Sequence, residues 1–199
     1  AIVVALIIAA GLYQSEVSWD MFTLLLLSAL PVFSVGLAED LGYFASPRRR
    51  LLAAAISGAV FIALMGQWVS RTGIPGLDSA LQWSPFAIAF SMFLAVGISH
   101  AFNLIDGLNG LAGSTALAAA IALATIAHQS GLTKHRDILL TIAAAVLGFL
   151  IFNFPFGKIF LGDAGAYVIG HLLVWMSVSI LWNLPVGHVS FAVLLMRYI

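Results

Sequence analysis

The chain has 199 residues, of which 62% are hydrophobic and 8% are charged, and its eight basic and eight acidic side chains cancel. A soluble domain carries about a quarter charged residues, and burial in a core cannot explain the shortfall because a soluble protein must still cover its surface. The composition excludes a soluble domain and predicts an integral membrane protein. Zero net charge gives no indication of nucleic-acid binding, and the lack of cysteine excludes disulfides and cysteine-based metal sites.

Long apolar segments follow one another along the chain. A membrane-spanning helix needs roughly 20 mainly apolar residues, and helices pair all their backbone groups within hydrocarbon. We expect spans at about 1–13 (partial), 20–38, 50–69, 84–102, 109–127, 137–154 and 164–183, with another starting at about 189–199. The fold class is therefore all-α: residues 1–199 form one polytopic transmembrane helical bundle of about seven to eight spans, incomplete at both ends.

Counting the crossings places half of the acidic side chains on one membrane face. Two spans separate the acidic loop that follows the second segment from the next acidic loop, and two more separate that loop from the third. The acids expected to share this face are Glu39, Asp40, Asp106 and Asp163. The triplet Arg48–Arg50 adjoins a span on the same side, so the positive-inside rule favours a cytoplasmic location for this face.

Each polar group also has a simpler explanation. Glu39–Asp40 could be a solvated helix end, and Asp106 or Asp163, beside glycines, could cap the helix that follows. Asn153 needs a hydrogen-bond partner inside a span, and Lys158 could extend its charge to the membrane surface.

Together, however, carboxylates brought to one face by three loops favour a divalent cation site. Mg²⁺ prefers oxygen ligands and usually keeps water and substrate phosphates as further ligands. Helix N-termini beside Gly107–Gly110 and Gly162–Gly165 can offer N–H groups to phosphate oxygens. We therefore predict a magnesium–diphosphate site at the membrane surface, accessible to one water-soluble and one lipid-borne reactant.

Three motifs resemble the signatures of a single enzyme family. They are GLAEDLGYFASPRRRLL at 36–52, NLIDGLNGLAGS at 103–114 and FNFPFGKIFLGDAGAYVIG at 152–170. In this order they resemble the polyprenyl-phosphate N-acetylhexosamine-1-phosphate transferases. That family includes phospho-N-acetylmuramoyl-pentapeptide transferase and the transferases that start O-antigen, enterobacterial common antigen and teichoic acid synthesis. The resemblance implies that the chain is a fragment of a protein with about ten or eleven spans.

The resemblance also implies an activity. A sugar 1-phosphate would pass from a UDP-N-acetylamino sugar to undecaprenyl phosphate, with Mg²⁺ (or Mn²⁺) required and UMP released, at the cytoplasmic face of the bacterial inner membrane. Asp163 would ligate the metal, and Asp40 would be the general base for the lipid phosphate or a nucleophile, with Glu39 beside it. Asp106 and Asn103 would position the diphosphate. The further substrate-binding residues expected are Gly107, Asn109, Asn153, Lys158 and Phe160.

Departures from the family pattern leave alternatives open. Glu39 stands where the family usually has Asp, which keeps a degenerate membrane scaffold in view. Asn109 stands where many members have Asp, and this resembles the branch that initiates O-antigen and capsule synthesis more than the muramoyl-pentapeptide branch, which remains the alternative substrate class. A transporter would instead place its carboxylates near mid-membrane in broken spans. Homodimerisation stays open.

Overall fold

The computed structural model describes residues 2–12, 19–44 and 46–184, and these residues form helices and connecting loops without a strand. Their helices are α1 (Ile2–Leu12), α2 (Trp19–Ser28), α3 (Leu30–Asp40), α4 (Pro47–Met65), α5 (Leu77–Leu81), α6 (Ser84–Ile105), α7 (Leu111–Gln129), α8 (Thr133–Asn153) and α9 (Gly162–Asn183). The all-α bundle expected from the hydropathy pattern is confirmed.

The number of spans is smaller in the described residues than the sequence predicts. Helices α6 to α9 are each long and apolar enough to cross a membrane, and the bent pair α2–α3 makes a fifth candidate. Helix α4 corresponds to the segment expected at 50–69, but three arginines in its first turn lower its hydropathy. The segment expected at 189–199 lies outside the described residues. The expected seven to eight spans are therefore not confirmed.

Helix α9 is the centre of the bundle. Its span is buried along its whole length, and α3, α4, α6 and α7 all pack against it. Small residues permit the close approach: a Cβ on Gly170 would lie 2.7 Å from the Ser99 Cα of α6, and a Cβ on Gly36 of α3 would lie 2.6 Å from the Ala164 Cα. Backbones that come this close give the tight helix contacts on which association in lipid depends.

A bend between α2 and α3 directs the end of α3 toward α9. The two helices meet at 46°, where Pro31, in the first turn of α3, has no N–H to continue the hydrogen-bond ladder. The Ser28 hydroxyl at the bend donates to Leu25 O (2.7 Å) and lies 2.9 Å from Nε2 of the buried His171 on α9. Since that hydroxyl proton is already committed to Leu25, Ser28 accepts from His171, and the bend is fixed to the central helix.

The bundle has two chemically different ends. At one end Arg71 donates to the carbonyls of Leu181 and Leu184 at the end of α9, which satisfies carbonyls that a helix terminus leaves free. The other end carries the starts of α4, α7 and α9 and the ends of α3, α6 and α8. The four acids selected from the sequence lie there, at helix ends and not at mid-span, which argues against a transport path through the bundle.

Candidate active site

Asp40 caps a helix that begins more than 120 residues later in the chain. The Asp163 N–H donates to Asp40 Oδ1 at 2.8 Å and the Ala164 N–H donates to Asp40 Oδ2 at 3.1 Å. Free N–H groups at a helix start carry partial positive charge and favour a carboxylate. Each carboxylate oxygen retains a second lone pair, so Asp40 can cap α9 and still accept a proton.

Two glycines allow this contact. At Gly36 on α3, an added Cβ would lie 2.6 Å from the Ala164 N and Cα. At Gly162 the backbone has φ +71°, and an added Cβ would lie 2.6 Å from Asp40 Oδ2. Since a side chain at either position would separate Asp40 from the start of α9, the glycines set the depth at which the carboxylate sits.

Asn103, from the last turn of α6, binds Asp163 directly. Its Nδ2 donates to Asp163 Oδ1 at 2.7 Å, and its Oδ1 accepts from the Tyr167 hydroxyl at 3.3 Å. Tyr167 lies one turn beyond Asp163 on α9 and is 1% exposed. The amide is therefore held from both sides, and it fixes the orientation of the Asp163 carboxylate.

Glu39 is turned toward the same cluster and forms a salt bridge with Arg50. Its Oε1 lies 3.6 Å from Arg50 Nε, at the start of α4. Its Oε2 is buried without a hydrogen-bond donor, and the Glu39 carboxyl group lies close to that of Asp163. Two facing carboxylate oxygens repel each other unless a proton or cation lies between them.

Asp106, in the loop between α6 and α7, is the fourth carboxylate of the cluster. Burial, together with the nearby charges of Asp163 and Asp40, raises the pKa of Asp106 to about 6. Its carboxylate does not bond to the start of α7: the Gly110 N–H there donates to Asn153 Oδ1 at 2.6 Å instead. Within the described residues, the capping explanation for Asp106 is therefore wrong.

The loops beside the acids are held together by two asparagines. Buried Asn153 accepts from Gly110 N–H and donates its Nδ2 to Ile159 O at 2.8 Å, so the cost of a buried amide is compensated. Asn109 is exposed and donates to Pro155 O at 3.3 Å. Both residues shape the loop rim of the site, and their expected contacts with substrate stay predictions.

The structure thus brings together some of the residues selected from the sequence and leaves others at the edge. Glu39, Asp40, Asn103, Asp106 and Asp163 meet at one end of the bundle. Gly107 and Lys158 are exposed, and Phe160 is 77% exposed. The expected substrate contacts of these rim residues stay predictions.

Sequence reasoning missed two members of the cluster. The sequence indicates Arg50 only as part of a topology signal, because its pairing with Glu39 depends on how α4 packs on α3. Tyr167 stands in an otherwise apolar stretch, where an aromatic residue is most simply a core residue. Its spacing of four from Asp163, on one helix face, is the signal that could have drawn attention to it.

The carboxylate oxygens at this end of the bundle fit a magnesium ion that takes its other ligands from a substrate and from water. In the described part of the chain no three acidic or histidine side chains are arranged to hold a metal by themselves. Mg²⁺, however, is commonly bound by one or two carboxylates with phosphate and water oxygens completing the octahedron. The cluster holds four carboxylates, of which Glu39 pairs with Arg50, and Glu39 Oε2 has no hydrogen-bond donor. Both features suit a divalent cation.

A bundle whose described residues include four helices long and apolar enough to cross a membrane, with a carboxylate cluster at one end of these helices, belongs to the class of integral membrane proteins. Residues 22–181 match the family model of glycosyl transferase family 4. The chain belongs to this family, and the resemblance found in its motifs is confirmed.

Relatives within the family carry two kinds of name. Phospho-N-acetylmuramoyl-pentapeptide-transferase of Bacillus pumilus (strain SAFR-032) is 33% identical over 184 residues, covering 86% of this chain and 55% of that protein. The namesake in Streptococcus thermophilus (strain CNRZ 1066) is 32% identical over 136 residues, covering 67% and 39%. Probable undecaprenyl-phosphate N-acetylglucosaminyl 1-phosphate transferase of Bacillus subtilis (strain 168) is 29% identical over 179 residues, covering 90% and 47%. The chain spans about half the length of these relatives.

Proposed function

We propose that the full-length protein transfers an N-acetylhexosamine 1-phosphate from a UDP-sugar to undecaprenyl phosphate, releases UMP and requires Mg²⁺, at the cytoplasmic face of a bacterial inner membrane. One observation carries the proposal: Asp40 of α3, Asn103 of α6 and Asp163 of α9 are in hydrogen-bond contact at one end of a membrane bundle. A lipid phosphate at the bilayer surface and a soluble nucleotide sugar can both reach such a site.

The proposed reaction exchanges one phosphoanhydride for another. An oxygen of the lipid phosphate attacks the sugar-bearing phosphorus of the UDP-sugar, and the bond from that phosphorus to the bridging oxygen breaks. The electron pair leaves with UMP. In this proposal Asp40 accepts a proton from the lipid phosphate, while Asn103 and Asp106 position the diphosphate.

A bound Mg²⁺ would neutralise the charge that develops on the phosphate oxygens. Asp163 would hold it, with Asp106 near enough to contribute to the field around it. Asn103 orients the Asp163 carboxylate through Oδ1, which leaves Oδ2 free of that bond. Asp163 would therefore offer a bound metal a preoriented oxygen ligand.

The identity of the UDP-sugar that supplies the sugar 1-phosphate is the finer part of the proposal. We propose UDP-N-acetylglucosamine because Asn109 replaces the Asp of many family members, as in the O-antigen and capsule branch. The names of the relatives in Bacillus pumilus and Streptococcus thermophilus favour UDP-N-acetylmuramoyl-pentapeptide as the second candidate. Supplying each donor separately with undecaprenyl phosphate, and measuring UMP and the lipid product, decides between them.

Three aspartate variants of the full-length protein test the site. Asp163→Asn and Asp40→Asn are expected to lower kcat by about 100-fold or more, as losses of charge-stabilising or proton-accepting groups do. The matched control is Asp137→Asn, because Asp137 pairs with Arg136 at the opposite end of the bundle. Near-normal UMP release by Asp163→Asn would overturn the metal assignment, and the same result for Asp40→Asn would overturn the base assignment.

A further inference from the structure

Four side chains at the site form a sequence of hydrogen-bond donors and acceptors with a defined direction. An ionised Asp163 only accepts, so the amide group of Asn103 that faces it at 2.7 Å must be the NH₂. The Asn103 carbonyl oxygen then points to the Tyr167 hydroxyl at 3.3 Å. A carbonyl oxygen only accepts, so the phenol must donate.

Arg50 is consistent with this direction at the phenol. Its guanidinium lies near the Tyr167 hydroxyl and can only donate, which agrees with a phenol oxygen that accepts on that side and gives its proton to Asn103. Arg50 is held in turn by Glu39 at 3.6 Å, with 27% of the Arg50 side chain exposed. The direction from Arg50 through Tyr167 and Asn103 to Asp163 is thus imposed by the donors and acceptors themselves.

Burial makes the arrangement rigid. Tyr167 is 1% exposed, on the central helix, and its ring lies 5.0 Å from the His100 ring, centroid to centroid. Water is therefore poorly placed to replace the hydroxyl as the partner of Asn103. Without that partner the amide loses the contact that opposes its rotation, and Asp163 loses a fixed donor.

We propose that Tyr167 is a positioning residue of the transferase: its hydroxyl, oriented by Arg50, holds the Asn103 amide with Nδ2 toward Asp163. The inference rests on the proposed function for its kinetic consequence, whereas the hydrogen-bond coupling it describes is a property of the folded protein alone. Tyr167 touches no reacting atom and acts through Asn103.

The kinetic experiment uses Tyr167→Phe in the full-length protein, which removes the hydroxyl and keeps the ring. We expect kcat to fall about 10-fold, with KM for the UDP-sugar within about 2-fold of wild type, because misorientation costs more in the transition state than in ground-state binding. Tyr43→Phe is the matched control, since Tyr43 is 71% exposed. A kcat for Tyr167→Phe equal to that of wild type would overturn the proposal.

A double-mutant cycle separates positioning from general destabilisation. Once Asn103→Ala has removed the amide, Tyr167→Phe should cost no further kcat, whereas two independent effects would multiply. The same cycle is measured on the midpoint of thermal unfolding in detergent, where the two shifts should also be non-additive. If wild type releases no UMP, the proposed function fails while the unfolding cycle still decides on the coupling; additive shifts overturn it.

Discussion

Among single residues, Asp106 and Asp78 show opposite responses of an aspartate to its surroundings. Asp106 is partly buried near Asp163 and Asp40, and its pKa rises to about 6. At Asp78 burial acts in the same upward direction, but hydrogen bonds from Thr72 and Gly73 outweigh it and the pKa is lowered. The Thr72 hydroxyl donates to Asp78 Oδ1 at 2.7 Å and the Gly73 N–H donates to Oδ2 at 3.0 Å.

These shifts predict pH dependences of opposite sign. The folded protein holds the Asp106 proton more tightly than the unfolded chain, whose pKa is near 3.8, so stability is lost as pH rises from about 4 to about 6. Asp106→Asn cannot ionise and should gain thermal stability relative to wild type across that window. A difference between the two unfolding midpoints that stays constant from pH 4 to pH 7 would contradict the prediction.

Asp78→Asn is the control with the reverse sign. A lowered pKa contributes stability that is present above the unfolded value and lost as pH falls through the folded value. Asp78→Asn should therefore cost more thermal stability at pH 7 than at acidic pH. The two variants measured in the same buffers cancel any general effect of pH on the detergent-solubilised protein.

At the scale of helices, the start of α9 is the element on which the site is assembled. Its first N–H groups bind Asp40 from α3, its first-turn Asp163 binds Asn103 from α6, and its next turn supplies Tyr167. The relative placement of α3 and α9 depends on the absence of a side chain at Gly36. Any separation of the two helices should therefore appear first at Asp40.

Gly36→Ala tests this dependence. Its Cβ would meet the Ala164 backbone at 2.6 Å, and because backbone cannot rotate away as a side chain can, we expect a loss of about 1–3 kcal/mol in stability. UMP release should fall as Asp40 moves away from the start of α9. Gly97→Ala on α6 is the matched control: its Cβ has no neighbour within 4 Å, so its stability should stay within about 1 kcal/mol of wild type. Equal effects of the two variants would contradict the prediction.

At the scale of the whole molecule, hydropathy and the counting of spans predicted more than local motifs did. The observed bounds of α6 to α9 differ from the predicted segments by a few residues, because apolar length is a property of the segment itself. The shared end of the four acids follows from an even number of crossings between their loops. Both predictions require no knowledge of which helices touch.

Pairings between distant residues could not be predicted in this way. The sequence offers Asp163 as one possible cap for its own helix, whereas the carboxylate that caps α9 is Asp40, from another helix. The bend at Ser28 is held by His171, and no local pattern indicates that contact. Such contacts depend on the rotation of each helix about its own axis, which the packing of small residues decides.

The membrane orientation of the bundle is the remaining property of the whole molecule that the proposed reaction requires. Arg48–Arg50 at the acid-bearing end predict that this end faces the cytoplasm. The 199-residue chain has no cysteine, so single cysteines can be introduced into these residues of a full-length protein in which any cysteine elsewhere has been replaced by serine. Leu108, which is 70% exposed, and Phe160 mark the acid-bearing end; exposed Ser130, between α7 and α8, marks the other.

Labelling of intact cells with a membrane-impermeant maleimide should modify Ser130→Cys and leave Leu108→Cys and Phe160→Cys unmodified. In inverted membrane vesicles the pattern should reverse, because the two ends of the bundle lie on opposite sides of the bilayer. Permeabilised cells, in which all three cysteines should react, control for thiol accessibility. Modification of Leu108→Cys in intact cells would place the carboxylates outside, where a cytoplasmic UDP-sugar could not reach them, and would contradict the proposed function together with the orientation.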